Sequence, residues 1–367
     1  MAERTRRRKA EHISITLNHN VQAREITTGF EDVSFIHRAL PELDKQQIDL
    51  STTVLGHKFA APLMVGAITG GTHEATKINA TIAEVVEELG LGMGVGSQRA
   101  ALEDRKLEES FIVARKKAPT AFLVANIGGV QLVNGIGLKK VKRTIEMVEA
   151  DALAIHLNAL QETAQPEGQT NFAGILEKVA RIAEDLEKPV IVKETGAGIA
   201  AEEAKKLEAA GVKGIDVSGA GGTSWAAVEY YRAKELKDAS RQRLGNLFWD
   251  WGIPTAVSLV EASQSVSIPV IASGGVRSGV DVAKSLSLGS SLTSLSQPVL
   301  RTAVNGTRGT RDMLSLLMDE LRNVMFLTGV ASIEALRNAP VVVMGKTAEW
   351  LRTRGFDVEC YAKRGRS

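Results

Sequence analysis

Short runs of apolar residues recur along the chain, and eight of them are separated by mixed or polar segments. Each run is too short for a stable helix and too continuous for a half-exposed strand, which is typical of a strand buried on both faces of a parallel sheet. The runs occupy 62–66, 92–96, 121–126, 152–157, 189–193, 214–218, 269–273 and 291–295.

Amphipathic helical patterns fill the segments between these runs. They include 74–89, 175–186, 201–210 and 280–288. Three of them end at a glycine (Gly90, Gly211 and Gly289), the residue that most often follows the last turn of a helix. Most runs begin roughly 22 to 37 residues apart, and one βα unit takes about 30 residues. Eight such units predict an α/β fold, a closed (β/α)8 TIM barrel, with a doubly wound sheet as the alternative.

The sixth and seventh runs are separated by a longer segment, since their starts lie about 55 residues apart. Segment 224–252 is rich in aromatic residues: Trp225, Tyr230, Tyr231, Trp249 and Trp251. Long loops after barrel strands commonly cover active sites, so this segment is predicted to be a lid insertion after strand 6. A contact between subunits is the alternative.

Three regions are expected along the chain. Residues 1–61 form a helix-and-strand extension with a basic flap, 62–330 form the barrel, and 331–367 form a polar C-terminal tail. The barrel region ends with an amphipathic helix at about 311–327.

Composition narrows the function. Among 367 residues, 45 Lys and Arg against 43 Asp and Glu give a net charge of +2, which provides no global field for nucleic acid or an anionic membrane. No apolar segment approaches the length of a membrane span. The single cysteine, Cys360, excludes a disulfide framework and indicates a reducing compartment. We therefore expect a cytoplasmic protein that binds neither nucleic acid nor membrane.

Polar residues gather where the predicted strands end, which in a barrel is the functional face. Glycine-rich segments at 219–222, beside Thr223, and at 274–275 follow late strands, where backbone N–H groups often bind phosphate. Lys193 ends an apolar strand, where an unpaired ammonium is costly unless it faces an anionic ligand or a salt-bridge partner. Glu162 and Gln161 offer oxygen ligands suited to Mg²⁺.

A local basic cluster lies near the N-terminus of this nearly neutral chain. It comprises Arg7, Arg8, Lys9 and His12. A solvated tail is one interpretation, and a flap that closes over a diphosphate is the other. Arg99 and His156 would add positive or donor character at the same mouth.

Six motifs at the predicted strand ends occur together and in order. They are Ala67-Ile-Thr-Gly-Gly71, Gly94-Val-Gly-Ser-Gln-Arg99, His156-Leu-Asn-Ala-Leu-Gln-Glu162, Lys193-Glu-Thr-Gly-Ala-Gly198, Asp216-Val-Ser-Gly-Ala-Gly-Gly-Thr-Ser-Trp225 and Ser273-Gly-Gly-Val-Arg277. With Arg8, Lys9 and His12, this set resembles the type 2 isopentenyl diphosphate isomerases. The resemblance implies an FMN- and Mg²⁺-dependent interconversion of isopentenyl and dimethylallyl diphosphate in isoprenoid biosynthesis. It also implies NADPH as reductant and a homo-oligomer, a tetramer or octamer.

The resemblance also implies roles for individual residues. FMN would contact Ala67, Ile68, Thr69, Ser97, Asn126, Lys193, Ser218 and Thr223, with its phosphate on Gly275, Val276, Arg277, Ser296 and Gln297. The substrate would contact Arg8, Lys9, His12, Ser97, Gln98, Arg99, His156, Asn158 and Gln161. Glu162 would hold Mg²⁺, and Gln161 and Lys193 would be catalytic. The family's small Gly/Ala-rich loop after strand eight is replaced here by 292–298, whose serines can still donate to phosphate.

The implied chemistry adds a proton at one allylic carbon and removes one from another. N5 of reduced flavin is expected to act as the acid or base, while Lys193 stabilises negative charge near N1 and O2. Gln161 would relay a proton or orient the diphosphate. Glu229 would face the site or, as the sequence favours, be a solvated carboxylate on the lid helix.

Two other functions remain open at this point. An FMN oxidoreductase could take hydride from a 2-hydroxy acid or a dihydropyrimidine, but such oxidases place a base histidine after a late strand, whereas His156 belongs to the fourth. A non-catalytic barrel that binds flavin or phosphate is the second alternative.

Overall fold

The computed structural model describes residues 2–365, and its centre is a closed barrel of eight parallel strands. Three strands precede the barrel: β1 (Val33–Phe35), β2 (Thr52–Val54) and β3 (His57–Phe59). The barrel strands are β4 (Leu63–Val65), β5 (Gly92–Gly94), β6 (Phe122–Gly128), β7 (Ala152–His156), β8 (Val190–Lys193), β9 (Gly214–Asp216), β10 (Val270–Ser273) and β11 (Leu292–Leu295), and β12 (Val341–Val343) follows them. Seven barrel strands lie within one apolar run each, and β6 extends two residues beyond its run, so the predicted (β/α)8 barrel is confirmed.

Helices surround the barrel, and α1 covers its C-terminal end. They are α1 (Ala2–Asn18), α2 (His73–Leu89), α3 (Arg99–Glu103), α4 (Glu109–Lys117), α5 (Gly129–Val133), α6 (Leu138–Val148), α7 (Ala159–Ala164), α8 (Ile175–Asp185), α9 (Ala201–Ala209), α10 (Trp225–Glu235), α11 (Ala239–Leu247), α12 (Thr255–Ser263), α13 (Gly279–Ser287), α14 (Gln297–Ala303), α15 (Thr307–Thr328), α16 (Ile333–Arg337), α17 (Gly345–Thr353) and α18 (Glu359–Lys363). Within residues 2–365, none of them is long and apolar enough to cross a membrane.

Local signals in the sequence define the helix ends. The Thr72 side chain accepts a hydrogen bond from the Ala75 backbone at the start of α2, and Gly90 ends that helix in the left-handed region with a φ of 63°. Ser278 and Asp281 form a reciprocal capping box at the start of α13. This cap orients the turn after β10, which belongs to the candidate site.

The inside of the barrel is filled at its N-terminal end. Phe59, at the end of the β2–β3 hairpin, packs edge-on against Phe122 with ring centroids 5.4 Å apart. Met64, Ile191 and other inward-facing apolar residues complete this cluster. Because this end is closed by packed side chains, a ligand can reach the interior only at the opposite end, where the strands terminate.

The segments outside the barrel are ordered and join each other. β1 pairs antiparallel with β12, with Val33 opposite Val343. The segment after residue 330, expected to be a polar tail, contains three helices and this strand, and it buries Leu336, Val341 and Leu351. Burial of these apolar side chains against the barrel helices explains why the segment is folded.

The segment after β9 forms helices α10 and α11. On α10, Val228 packs with Ile15 and Val21 from the N-terminal extension, while Trp249 beyond α11 joins the same cluster. Trp251 remains 62% exposed. The insertion therefore binds the N-terminal helix α1 over the mouth of the barrel.

Candidate active site

A cavity of about 200 Å³ lies at the C-terminal ends of the barrel strands. Six barrel strands, β6 to β11, contribute lining residues, and so do the loops that follow β4 and β5. The helix α1 covers the opening with Arg8, Lys9, His12, Ile13 and Thr16. The remaining lining residues assigned in advance are Ala67, Ile68, Thr69, Ser97, Arg99, Asn126, His156, Asn158, Gln161, Glu162, Lys193, Ser218, Thr223, Gly275, Val276, Arg277, Ser296 and Gln297. The structure thus brings these residues to one site.

Gln98 is the exception among the assigned residues. Its side chain is fully buried, its Nε2 donates to the Thr144 carbonyl at 2.8 Å, and its Oε1 accepts from the Asn126 backbone at 2.9 Å. Both the nitrogen and the oxygen of the Gln98 carboxamide are therefore hydrogen-bonded to other residues of the protein. Gln98 supports the strand end that carries Asn126, and its side chain does not reach the cavity where substrate contact was expected.

Several cavity residues were given no individual role by the sequence-based prediction. Thr16 and Gln131 come from helices, and Asp216, Ser273 and Ser294 lie within strands. The polarity of Asp216, Ser273 and Ser294 within apolar strands was a usable signal for the cavity. A polar side chain is buried in such a strand only when it has a hydrogen-bond partner or a ligand.

The late strand ends form a cradle suited to FMN. A Cβ added to Gly222 would lie 2.3 Å from the Gly275 backbone nitrogen, and Gly274 and Gly275 have φ values of 101° and 73°. Glycine is therefore required for this close approach of two loops. Buried hydroxyls at Thr69 and Ser294 have no hydrogen-bond partner in the described part of the chain. Backbone turns and unpaired hydroxyls fit the phosphate and polar groups of FMN.

Lys193 ends β8 with polar neighbours on both adjacent strands. The register sets it beside His156 of β7 and Asp216 of β9, and its ammonium donates to the Glu194 carbonyl at 2.5 Å. Burial raises the pKa of Asp216, whose carboxylate accepts hydrogen bonds from the Ser273 hydroxyl and the Ser218 backbone. These contacts hold a cation at the floor of the cavity.

His156 is held as a neutral ring. Its Nδ1 lies 2.8 Å from the Asn126 Oδ1, while the Asn126 amide nitrogen donates to a backbone carbonyl, so Nδ1 carries the proton. Burial, followed by the charges of Lys193, Lys9 and Arg8, lowers the pKa of His156 to about 3. Nε2 is consequently left as an acceptor.

Basic groups crowd the roof of the cavity. Burial and the neighbouring Arg8 and Arg99 lower the pKa of Lys9 to about 7. Arg99 pairs with Glu103 at 2.9 Å, and Arg8 lies 3.9 Å from Glu167. Because three cations share one buried region, a bound polyanion would relieve their mutual repulsion.

A chain of amides and carboxylates runs along one wall. Glu229 Oε1 accepts from His12 Nε2 and from Gln161 Nε2, both at 3.0 Å. Burial opposes ionisation of Glu229, but His12, Arg232 and Gln161 favour the charged form and lower its pKa to about 2. Glu229 is completely buried, so the expectation of a solvated carboxylate is wrong. The N-terminal helix folds over it and removes it from water.

Glu162 lies next to Asn158 in the same wall. Its Oε1 accepts from the Asn158 amide at 3.1 Å, and its Oε2 accepts from the Gln169 backbone at 2.7 Å. The Asn158 Oδ1 is buried with no partner in the structure described. Across residues 2–365, no three His, Cys, Asp or Glu side chains converge to hold a metal. One carboxylate and one free amide oxygen fit Mg²⁺, which takes its other ligands from water and substrate phosphates.

Comparison with known proteins agrees with this arrangement. The FMN-dependent dehydrogenase family matches residues 1–125 and 130–343. A lactate oxidase of Pediococcus acidilactici superposes with a TM-score of 0.65 at 19% identity, covering 94% of each chain. A mandelate oxidase variant superposes with a TM-score of 0.61 at 20% identity, covering 94% of this chain and 98% of its own. The chain therefore belongs to the FMN-dependent dehydrogenase family and shares the barrel fold of these oxidases.

Sequence relatives define a narrower group. The isopentenyl-diphosphate delta-isomerase of Methanosarcina barkeri is 51% identical over 367 residues, which is 100% of both chains. The enzyme of the same name from Pyrococcus furiosus is 48% identical over 369 aligned positions, covering 98% of this chain and 92% of its own. The chain is a member of the type 2 isopentenyl-diphosphate delta-isomerase family, and it is an isomerase.

Proposed function

We propose that the protein interconverts isopentenyl diphosphate and dimethylallyl diphosphate in the cavity under α1. The observation that carries this proposal is the meeting of two sites in one cavity. A glycine and hydroxyl cradle suited to FMN lies at the late strand ends, and a buried cationic roof suited to a diphosphate lies above it. The names of the relatives support the same substrates.

The diphosphate is assigned to the roof and the adjacent wall. Arg8, Lys9 and Arg99 bind its charge, and Ser97 adds a hydroxyl at the end of β5. His156 completes the contact through Nε2. The neutral ring accepts a hydrogen bond there from a protonated phosphate oxygen, or the ring takes up a proton and donates a hydrogen bond to an anionic one. Held in this way, the prenyl group extends toward the floor of the cavity.

Reduced FMN, when bound, would supply a proton donor and acceptor for the prenyl group. Lys193 stabilises negative charge on the reduced ring from the end of β8. Gln161, fixed between Asn158 and the Glu229 carboxylate, orients the substrate or passes a proton. FMN contacts are assigned to Ala67, Ile68, Thr69, Ser97, Asn126, Lys193, Ser218 and Thr223, and phosphate contacts to Gly275, Val276, Arg277, Ser296 and Gln297.

Further assignments rest on the family resemblance. Mg²⁺ is assigned to Glu162, with the Asn158 Oδ1 beside it. NADPH is proposed as reductant, the cytoplasm as location, and a tetramer or octamer as the assembly. Residues 1–61 are proposed to provide the flap, 224–252 the lid and 331–367 a C-terminal addition to the barrel at 62–330. Trp225, which lines the cavity, supports the lid assignment.

An absorbance spectrum followed by an assay tests the proposal. The purified protein should show bound flavin. After anaerobic reduction, it should convert isopentenyl diphosphate to dimethylallyl diphosphate with Mg²⁺ present, and it should not do so when oxidised. Flavin with oxidation of a 2-hydroxy acid would instead favour an oxidase. Flavin or phosphate binding without any turnover would favour a binding protein.

A further inference from the structure

One guanidinium behind the cavity wall joins three elements around the mouth. Arg232, on α10, is only 3% exposed. Its Nε donates to Glu11 of α1 at 3.0 Å, one terminal nitrogen donates to Glu229 at 2.7 Å, and the other donates to Glu167 at 2.9 Å. A planar fork with several fixed donors is the group that can satisfy three carboxylates at once. Arg232 therefore connects α1, the lid helix and the loop after α7.

Two of these carboxylates also contact groups assigned to the substrate. Glu229 accepts hydrogen bonds from His12 and Gln161. Glu167 lies 3.9 Å from the guanidinium of Arg8. The contacts of Arg232 are thus one step removed from three substrate-binding groups. Its own donors point to carboxylates and away from the substrate.

The two halves of α1 are held by different forces. From Ile13 onward the helix is held by apolar packing, and His19 stacks on Tyr231 with ring centroids 4.2 Å apart. The preceding segment, 7–12, is polar, and Glu11 ties it to α10 through Arg232. This polar half also carries the basic groups of the cavity roof.

We propose that Arg232 is a positioning residue that fixes the basic half of α1 over the cavity and so sets the diphosphate-binding groups in place. The inference rests on the proposed function. Removing Arg232 would leave this half of the helix joined to α10 only through the contacts of His12 with Glu229 and Trp225 among those described. It would also leave Glu11, Glu167 and Glu229 without their shared cation beside a site for an anion. Lysine is a poor replacement because its ammonium is a point charge without the planar fork.

Steady-state kinetics of reduced holoenzyme test the positioning role. Arg232→Met is expected to raise the KM for isopentenyl diphosphate by about tenfold or more, with a smaller change in kcat and unchanged FMN content. Arg232→Lys should recover little of this loss. The matched control is Arg311→Met, because Arg311 pairs with Glu88 on the outer surface at 2.7 Å. The control should keep the wild-type KM.

Hydrogen exchange of holoenzyme without substrate gives a readout independent of activity. Arg232→Met should speed amide exchange in 2–12 while leaving 13–18 protected. If both the KM and the exchange of 2–12 stay at wild-type values, the inference is overturned. A wild-type protein that does not isomerise the substrate would refute the proposed function, whereas the exchange result would still decide whether Arg232 anchors α1.

A second variant keeps the test informative if Arg232→Met fails to fold. Glu11→Ala removes the tie between Arg232 and α1, together with the pair of Glu11 with the exposed Arg7, and leaves Glu229 and Glu167 on Arg232. Its side chain is 18% exposed, so the cost to stability is small. The same faster exchange in 2–12 is expected. Where Arg232→Met does fold, adding Glu11→Ala to it should change the KM by less than about twofold further, because both substitutions remove the same contact between Arg232 and Glu11.

Discussion

The side-chain oxygen of Gln22 accepts a hydrogen bond from the Arg277 guanidinium at 2.7 Å, although the two residues are 255 positions apart. The amide nitrogen of Gln22 lies 3.4 Å from the Thr223 hydroxyl. One residue of the N-terminal extension therefore contacts two residues assigned to FMN. Gln22 therefore holds the guanidinium of Arg277, which lines the cavity.

Gln22→Ala is accordingly expected to weaken FMN binding by about 3- to 10-fold, which is about 0.7 to 1.4 kcal/mol and matches the net contribution of one typical hydrogen bond. Flavin fluorescence during titration of the flavin-free protein measures this. Gln46→Ala is the control, because Gln46 is exposed and does not line the cavity. Equal FMN affinity in both variants would show that Arg277 is held without Gln22.

The unpaired hydroxyl of Thr69 predicts opposite effects on folding and on FMN binding. Thr69 is 2% exposed and its hydroxyl lacks a partner in the described residues, so Thr69→Val should leave the stability of flavin-free protein unchanged or raise it by up to about 1 kcal/mol. FMN affinity should fall by about fivefold or more if this hydroxyl binds the cofactor. Thermal unfolding and flavin titration measure the two effects.

The matched control for this substitution is Thr144→Val. Thr144 is equally buried, but its hydroxyl donates to the Val141 carbonyl at 2.7 Å. This variant should lose about 1 kcal/mol of stability and keep its FMN affinity. A loss of stability in flavin-free Thr69→Val as large as in the control would contradict the assignment of the Thr69 hydroxyl to a ligand.

Lys9 predicts a pH dependence of anion binding. Burial and the charges of Arg8 and Arg99 lower the pKa of Lys9 to about 7, so the ammonium is largely lost above that pH. A bound polyanion stabilises the charged form and raises this pKa. Affinity for magnesium pyrophosphate should therefore fall as the pH rises above about 7, and binding at about pH 8 should take up a proton at Lys9.

Titration calorimetry in two buffers with different ionisation enthalpies measures this proton uptake. Lys9→Met should reduce the uptake and weaken binding by about tenfold. Lys58→Met, an exposed lysine of the β2–β3 hairpin, should behave as wild type. Identical proton uptake in all three proteins would mean that Lys9 does not change protonation on binding.

The assignment of Mg²⁺ to Glu162 predicts how the activity depends on the Mg²⁺ concentration. Glu162→Gln should raise the Mg²⁺ concentration needed for half-maximal activity by about tenfold or more, because the amide is a weaker ligand than the carboxylate. FMN binding should not change. Glu109→Gln, which alters only a surface pair with Lys116, serves as the control. An unaltered Mg²⁺ response would assign the ion to the diphosphate alone.

The barrel was predictable because its signal is local. A strand buried on both faces is apolar over its whole length, as in 122–128, and glycine or a capping box marks the ends of the helices around it. The position of most cavity-lining residues was predictable for the same reason, since they lie at the ends of these strands or just after them. Polarity at a strand end already implies a position at the mouth.

Residues whose environment depends on distant segments were not predictable in this way. Glu229 looks solvated from its own helix, and only the packing of α1 over α10 buries it. Gln98 belongs to a site motif, but its side chain turns toward Thr144 of α6. Arg232 belongs to no sequence motif. Its role could not be predicted because two of its three carboxylate partners, Glu11 and Glu167, are distant in the sequence.

The pairing of β1 with β12 has a consequence for biosynthesis. Val33 faces Val343 across this two-stranded sheet, so the N-terminal extension gains this anchor only after residue 343 has left the ribosome. The helix α1 does not wait for this pairing, because its contacts with Val228, Glu229 and Arg232 lie earlier in the chain. A chain truncated before β12 is therefore expected to keep α1 over the mouth of the barrel and to leave β1 without its partner strand.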